Sequence, residues 1–350
     1  MKVSIISHGA HGGRGGIDQY IANLIDALLC QRKIKSINLF TKKYVKLNNS
    51  KIKKFNSNNS INFLIIIILN IINIFKSKII IISHINLIPY LIILILLNKK
   101  VILLTYGLEI WGEKKNFIYK FIIKKISFFI CMRDFTMKNL KKKYNLKNKK
   151  IFLLPNCIKI KNFKKLNKKK NKNVITVARL DSEEKYKGVD ETLEAIALLK
   201  KINFYYFVVG DGSDKERLIK KAKNLKIINN VKFFGKISNI QRNKLFLNSS
   251  IISMPGSDKT FDTYPFRFAF LEGAEFGLKI IGSYPPKGPE INCEKKYINI
   301  NFVDPKNKKQ ILSKILQLQK QKRQIDKKYL NDYSFDIFKN KLNNILSKIY

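Results

Sequence analysis

Short, uninterrupted apolar runs alternate with amphipathic stretches along this chain, and the alternation predicts β-α-β units. In the first half, residues 3–7, 79–82 and 101–104 read as strands, and residues 19–29 as a helix. In the second half, strands are expected at 174–177, 207–209, 231–235, 251–254 and 280–282, with helices at 189–199 and 215–224. Strands of a parallel sheet are buried on both faces, so they read as continuous apolar runs. A last helix is expected over 337–350. The class is α/β.

Two runs, 61–75 and 79–97, are apolar enough to raise the question of a membrane span. The first contains Asn62, Asn70 and Asn73, and the second Ser83, His84, Asn86 and Pro89. A spanning helix needs about 20 mostly apolar residues. The runs divide better into a helix over 61–75, a strand over 79–82, a helix over 88–97 and a strand over 101–104. No span is expected, and the N-terminal residues do not read as a signal peptide.

A chain of 350 residues suits two domains, each with its own core. The lysine- and asparagine-rich stretch over 161–173 reads as the linker between a domain over 1–160 and one over 174–333, with 334–350 as a terminal helix. Cys30, Cys131, Cys157 and Cys293 lie far apart, which fits free thiols in a reducing cytoplasm. Lys and Arg total 69 against 24 Asp and Glu, a net charge of +45. The lysines are spread over most segments without interleaved aromatic residues, so no specific nucleic-acid partner is expected. Such a surface is instead held near anionic lipid headgroups, which predicts peripheral attachment to the inner face of the cytoplasmic membrane.

The candidate chemistry begins at Arg179, which ends the run 174–177 and its short extension, and at Lys187-Gly188, which lead into the helix over 189–199. A guanidinium fork and an ammonium beside a helix N-terminus suit a dianion such as a diphosphate, although an ordinary charged loop reads the same way. A glycine-rich turn, His11-Gly12-Gly13-Arg14-Gly15-Gly16-Ile17-Asp18, joins the first strand to the first helix. Without Cβ atoms its N–H groups are open to a phosphate, and a merely tight turn has the same composition. His8 and His11 have no third metal ligand in sequence reach, so they read as loop or substrate-edge residues.

The ordered set Arg179, Lys187-Gly188, Gly210-Asp211-Gly212, Phe233-Phe234-Gly235 and Leu271-Glu272-Gly273 resembles the C-terminal half of family 4 retaining glycosyltransferases. That resemblance implies the GT-B fold: two Rossmann-like domains facing across a central cleft, with a C-terminal helix crossing back onto the N-terminal domain. It implies a transfer from a nucleotide-diphosphate sugar to a glycan or lipid-linked acceptor in cell-surface polysaccharide synthesis, with no metal. The donor contacts it implies are Gly15, Gly16, Arg179, Lys187, Gly210, Gly212, Phe233 and Glu272, with Glu272 at the nucleotide ribose.

On the sugar side the chain departs from the family. Tyr106 stands where a histidine is usual, and Tyr264 where the first of two acids is usual. Asp262 serves as that acid if the loop is two residues longer, and Arg267 replaces the usual glycine-rich character. The expected catalytic set is therefore Asp262, Tyr106, Arg179 and Lys187. The same departures suit a weak or inactive homologue that binds a nucleotide sugar or acts as a partner subunit.

Overall fold

The computed structural model describes the chain apart from residues 11–15, 46, 98, 112–116, 160–171, 257–267, 284–296, 298 and 350. The chain divides into two compact units, Met1–Cys157 with Tyr333–Tyr350, and Ile158–Asp332.

The first unit holds a parallel sheet of seven strands in the order β3-β2-β1-β4-β5-β6-β7. These are β1 (Lys2–Ser7), β2 (Ser36–Thr41), β3 (Ile52–Asn56), β4 (Ile79–Ile82), β5 (Val101–Thr105), β6 (Phe128–Cys131) and β7 (Lys150–Leu153). Its helices are α1 (Gly16–Leu29), α2 (Ser60–Leu69), α3 (Ile71–Phe75), α4 (Ile92–Leu96), α5 (Leu108–Trp111), α6 (Phe117–Lys125) and α7 (Asp134–Tyr144). Alternation along the strands sends Val3, Ile5, Ile79, Ile81, Ile102 and Leu104 to one core layer. Ile6, Ile80, Ile82, Val101 and Leu103 go to the other. The C-terminal helix, given below, closes the first layer with Phe338, Leu342 and Ile345. Helices α2, α3, α4 and α6 cover the second through residues such as Phe63, Ile74, Leu94 and Ile123.

The second unit repeats the plan with six parallel strands in the order β10-β9-β8-β11-β12-β13. They are β8 (Asn173–Val177), β9 (Tyr206–Val209), β10 (Val231–Gly235), β11 (Ser249–Met254), β12 (Lys279–Ser283) and β13 (Ile300–Val303). Helices α8 (Val189–Ile196), α9 (Lys215–Asn224), α10 (Asn239–Leu247), α11 (Phe268–Glu275), α12 (Lys308–Gln319) and α13 (Lys327–Asp332) complete it. The chain then returns to the first unit as α14 (Phe335–Ser347).

Two predicted helices are divided by their own polar residues. The one expected over 61–75 breaks at Asn70, whose side-chain amide donates to the Ile66 carbonyl at 3.0 Å in competition with the backbone ladder. The one expected over 88–97 begins as a 3₁₀ turn, Ile85–Leu91, because Pro89 has no N–H to give an α-helix. Among the described residues, no helix is long and apolar enough to cross a membrane.

Candidate functional site

In each sheet the strand order reverses beside the first strand, between β1 and β4 in one unit and between β8 and β11 in the other. Connections leave to opposite sides at that point, so the carboxyl ends open the crevice where open α/β sheets take ligands.

At the second unit's switch point the loops touch through glycine. Gly210 has φ of 138°, and a Cβ there would stand 1.7 Å from the Ala178 carbonyl oxygen. A Cβ on Gly212 would stand 2.4 Å from both Asp181 Oδ1 and the Leu180 carbonyl. The turn after β9 is thereby pressed against the Arg179 loop, and two backbone bonds lock it. The Leu180 N–H donates to the Asp211 carbonyl at 3.1 Å, and the Asp214 N–H to the Leu180 carbonyl at 2.7 Å. Gly188, with φ of 85°, would put a Cβ 2.4 Å from the Gly256 nitrogen, so the entry to α8 lies directly on the end of β11. Gly210 and Gly212, expected from sequence as ligand contacts, have a packing reason of their own, as Gly188 does: they bring the loops together.

The Arg179 guanidinium is largely exposed and donates to the Glu184 carboxylate, with a second nitrogen 3.9 Å from Asp181 Oδ2. Lys187 ends the 3₁₀ turn Ser182–Lys187 that carries the chain from this loop to α8. The two expected cations thus belong to one short segment at the switch point. Phe233 packs against the unit's core. Glu272 lies on α11, which rests on β11 so closely that a Cβ on Gly273 would be 3.4 Å from Ile252. Its carboxylate meets Arg242 of α10 at 2.5 Å. Burial outweighs that cation and pushes the Glu272 carboxyl up to about 7, so the ion pair is complete only above that pH. Arg242 is the residue that sequence reasoning missed. Nothing in its helical surroundings signals that it turns toward α11.

The first unit's switch point gathers a different set. His8 follows β1 and His84 follows β4, and their rings meet edge to face with centroids 5.7 Å apart. Burial, followed by the charges of His84, Lys42 and Lys43, pushes the His8 imidazole down to about 4, so it is neutral at pH 7. His84 Nδ1 accepts the Asn86 N–H at 3.2 Å. Its ring lies nearly parallel to Tyr106 at 6.3 Å, and Tyr20 meets Tyr106 edge-on at 5.9 Å. The Tyr106 hydroxyl, which sequence reading offered either to a sugar or to packing of the domain edge, is buried with no hydrogen-bond partner among the described residues. Burial holds its proton far above the ordinary phenol range. Glu109 fixes the Tyr106 backbone by accepting the Tyr106 N–H at 2.5 Å and the Gly107 N–H at 3.0 Å. Asp18, buried in the first turn of α1, occupies the space a Cβ on Gly9 would need, 2.7 Å from Oδ1. A Cβ on Gly16 meets nothing within 4 Å among the described residues, so no contact with them requires a glycine there. Gly15, Asp262, Tyr264 and Arg267 lie outside the described residues.

The family model for glycosyl transferases group 1 matches residues 158–334. No curated protein matches the chain. Among solved structures, the lipopolysaccharide outer core galactosyltransferase WaaB in its apo form is similar at 18% identity, with a TM-score of 0.70 over 99% of this chain and 100% of that one. HepE from Anabaena, in complex with UDP-glucose, is similar at 13% identity and a TM-score of 0.72, covering 99% of this chain and 100% of HepE. Sucrose-phosphate synthase from Thermosynechococcus elongatus reaches a TM-score of 0.77 at 14% identity, covering 99% and 98%. Likeness over the full chain shows the GT-B fold.

Proposed function

Because the chain belongs to the glycosyl transferases group 1 family, we propose that it is a retaining transferase moving a sugar from a nucleotide-diphosphate sugar to a glycan or lipid-linked acceptor. The observation that carries this reading is the switch point of the second unit, where Arg179 and Lys187 share one segment leading into α8. Charge gathers on the nucleoside diphosphate as the glycosidic bond breaks, and the sugar passes through an oxocarbenium-like state. Arg179 leaves Glu184 to meet the diphosphate, and Lys187 adds a second charge. Losing one such donor commonly costs a few kcal/mol of barrier. Glu272, oriented by Arg242, accepts the ribose hydroxyls. The donor chemistry needs no metal when the leaving-group charge is met by protein cations.

HepE has been captured with UDP-glucose, and WaaB is described as a lipopolysaccharide outer core galactosyltransferase. These relatives support a uridine nucleotide donor and an acceptor in lipopolysaccharide-like synthesis, and the net charge of +45 supports work at the anionic inner face of the cytoplasmic membrane. The test is calorimetric titration of UDP into the wild type, Arg179→Ala and Lys187→Ala. Each variant is expected to bind at least tenfold more weakly, in line with about 1.5–3 kcal/mol for a charged hydrogen bond. Unchanged affinity in both would overturn the assignment of the site. Turnover that survives EDTA supports the metal-free reading, and turnover restored only by added metal rejects it.

A further inference from the structure

After Ser60 and Asn62 in its first turn, helix α2 is apolar on every side, yet only Phe63 and Ile67 of its residues are buried. A helix of that composition belongs in a core or against a non-aqueous phase. Here Ile61, Leu64, Ile65, Ile68 and Leu69 face outward, with Leu69 77% exposed. The face continues on α3, where Ile72 and Phe75 are exposed, and on α4 and the residue that caps it, where Ile93, Leu96 and Leu97 are. These helices pack on the same core layer. Lys99, just after α4, lies 3.6 Å from the Phe75 ring centroid, so the ends of α3 and α4 are neighbours. Helix α6 adds an exposed Phe121, with Lys125 5.7 Å from its ring. A folded surface seldom keeps so many large apolar side chains together without a partner.

The charge around this face identifies the partner. No acidic residue occurs between Asp26 and Glu109. Exposed Lys76 directly follows α3, exposed Lys124 and Lys125 end α6, and the Lys99 ammonium lies over Phe75, so cations border the apolar helices. Apolar side chains inside a cationic rim match a bilayer of anionic phospholipid, whose acyl region takes the isoleucines and whose headgroups take the lysines. A second copy of the chain fits poorly, because a two-fold pairing would set this rim against itself. We propose that α2, α3 and α4 form a docking face that lies in the headgroup region of an anionic membrane without crossing it. The proposal locates the membrane attachment suggested above. It needs neither donor nor turnover, so its failure is distinguishable from failure of the transferase reading.

Flotation of the full chain with vesicles of phosphatidylcholine, with and without phosphatidylglycerol, tests it. The wild type is expected to float with the anionic vesicles and to remain partly bound in high salt. Ile65→Ser with Ile68→Ser and Ile72→Ser changes exposed residues, so circular dichroism melts should match the wild type while vesicle binding falls at least tenfold. Lys76→Gln with Lys124→Gln should weaken binding roughly thirty-fold on anionic vesicles, at about one rim charge's worth of headgroup attraction per lysine. A triple-serine variant that floats like the wild type would overturn the proposal. So would complete release of the wild type by salt, or a wild-type dimer in sedimentation that the triple-serine variant abolishes.

Discussion

Glu272 and Arg242 show how one pair of side chains ties stability to the candidate site. The Glu272 carboxyl moves from its ordinary 4.5 to about 7 on folding, chiefly because it is buried. The folded state therefore holds a proton that the unfolded state has released between those two values. This contribution to stability is complete below pH 4.5 and is lost as pH rises through 7. Thermal melts of the wild type and Glu272→Gln across pH 4–8 check this. The difference between their midpoints should shift in favour of the glutamine variant as pH rises, since glutamine never ionises. A pH-independent difference would show that the carboxyl titrates as it does in the unfolded chain. The position of Glu272 was legible in the sequence, as part of Leu271-Glu272-Gly273. Its cation was not, because a helix-surface arginine acquires a direction only when α10 and α11 are packed. His84 is similar: its place after the apolar run 79–82 gives no sign of a partner, and His8 is brought to it by the pairing of β1 with β4.

At the level of elements, the strands were the most legible part of the fold. Continuous apolar runs mark strands with two buried faces, and the run 231–235 coincides with β10, Val231–Gly235. Helix boundaries were less legible where a single residue decides them, as Asn70 and Pro89 do. The glycines separate into two kinds that sequence cannot distinguish. Gly210→Ala forces a Cβ into the Ala178 carbonyl at φ of 138°, and should cost roughly 2–4 kcal/mol of stability. Gly16→Ala places its Cβ clear of all the described residues, and should change stability by less than about 0.5 kcal/mol. Chemical denaturation of the two variants measures the contrast. If Gly16→Ala keeps its stability but loses UDP affinity, the glycine is there for the ligand rather than for the chain. Equal destabilisation of both would contradict the geometry.

For the whole molecule, the net charge of +45 is the property most open to misreading. Retention on DNA is expected to be independent of sequence and to fall steeply between about 50 and 200 mM salt, as counterion release requires. A sequence preference that survives the higher salt, measured by fluorescence anisotropy with two unrelated duplexes, would contradict that. The sequence by itself determined that this is an α/β chain with two parallel sheets, because burial on both faces leaves a pattern in each strand separately. It also determined the order of the charged and glycine-bearing turns, and through them the glycosyltransferase family. What only the tertiary structure decided is how those turns are used. Arg179 meets Glu184, Glu272 meets Arg242, Tyr106 buries its hydroxyl, and one face of α2 is left bare. Each depends on which strand or helix lies alongside, and side chains distant in sequence come together only when the sheets have formed and their helices have packed.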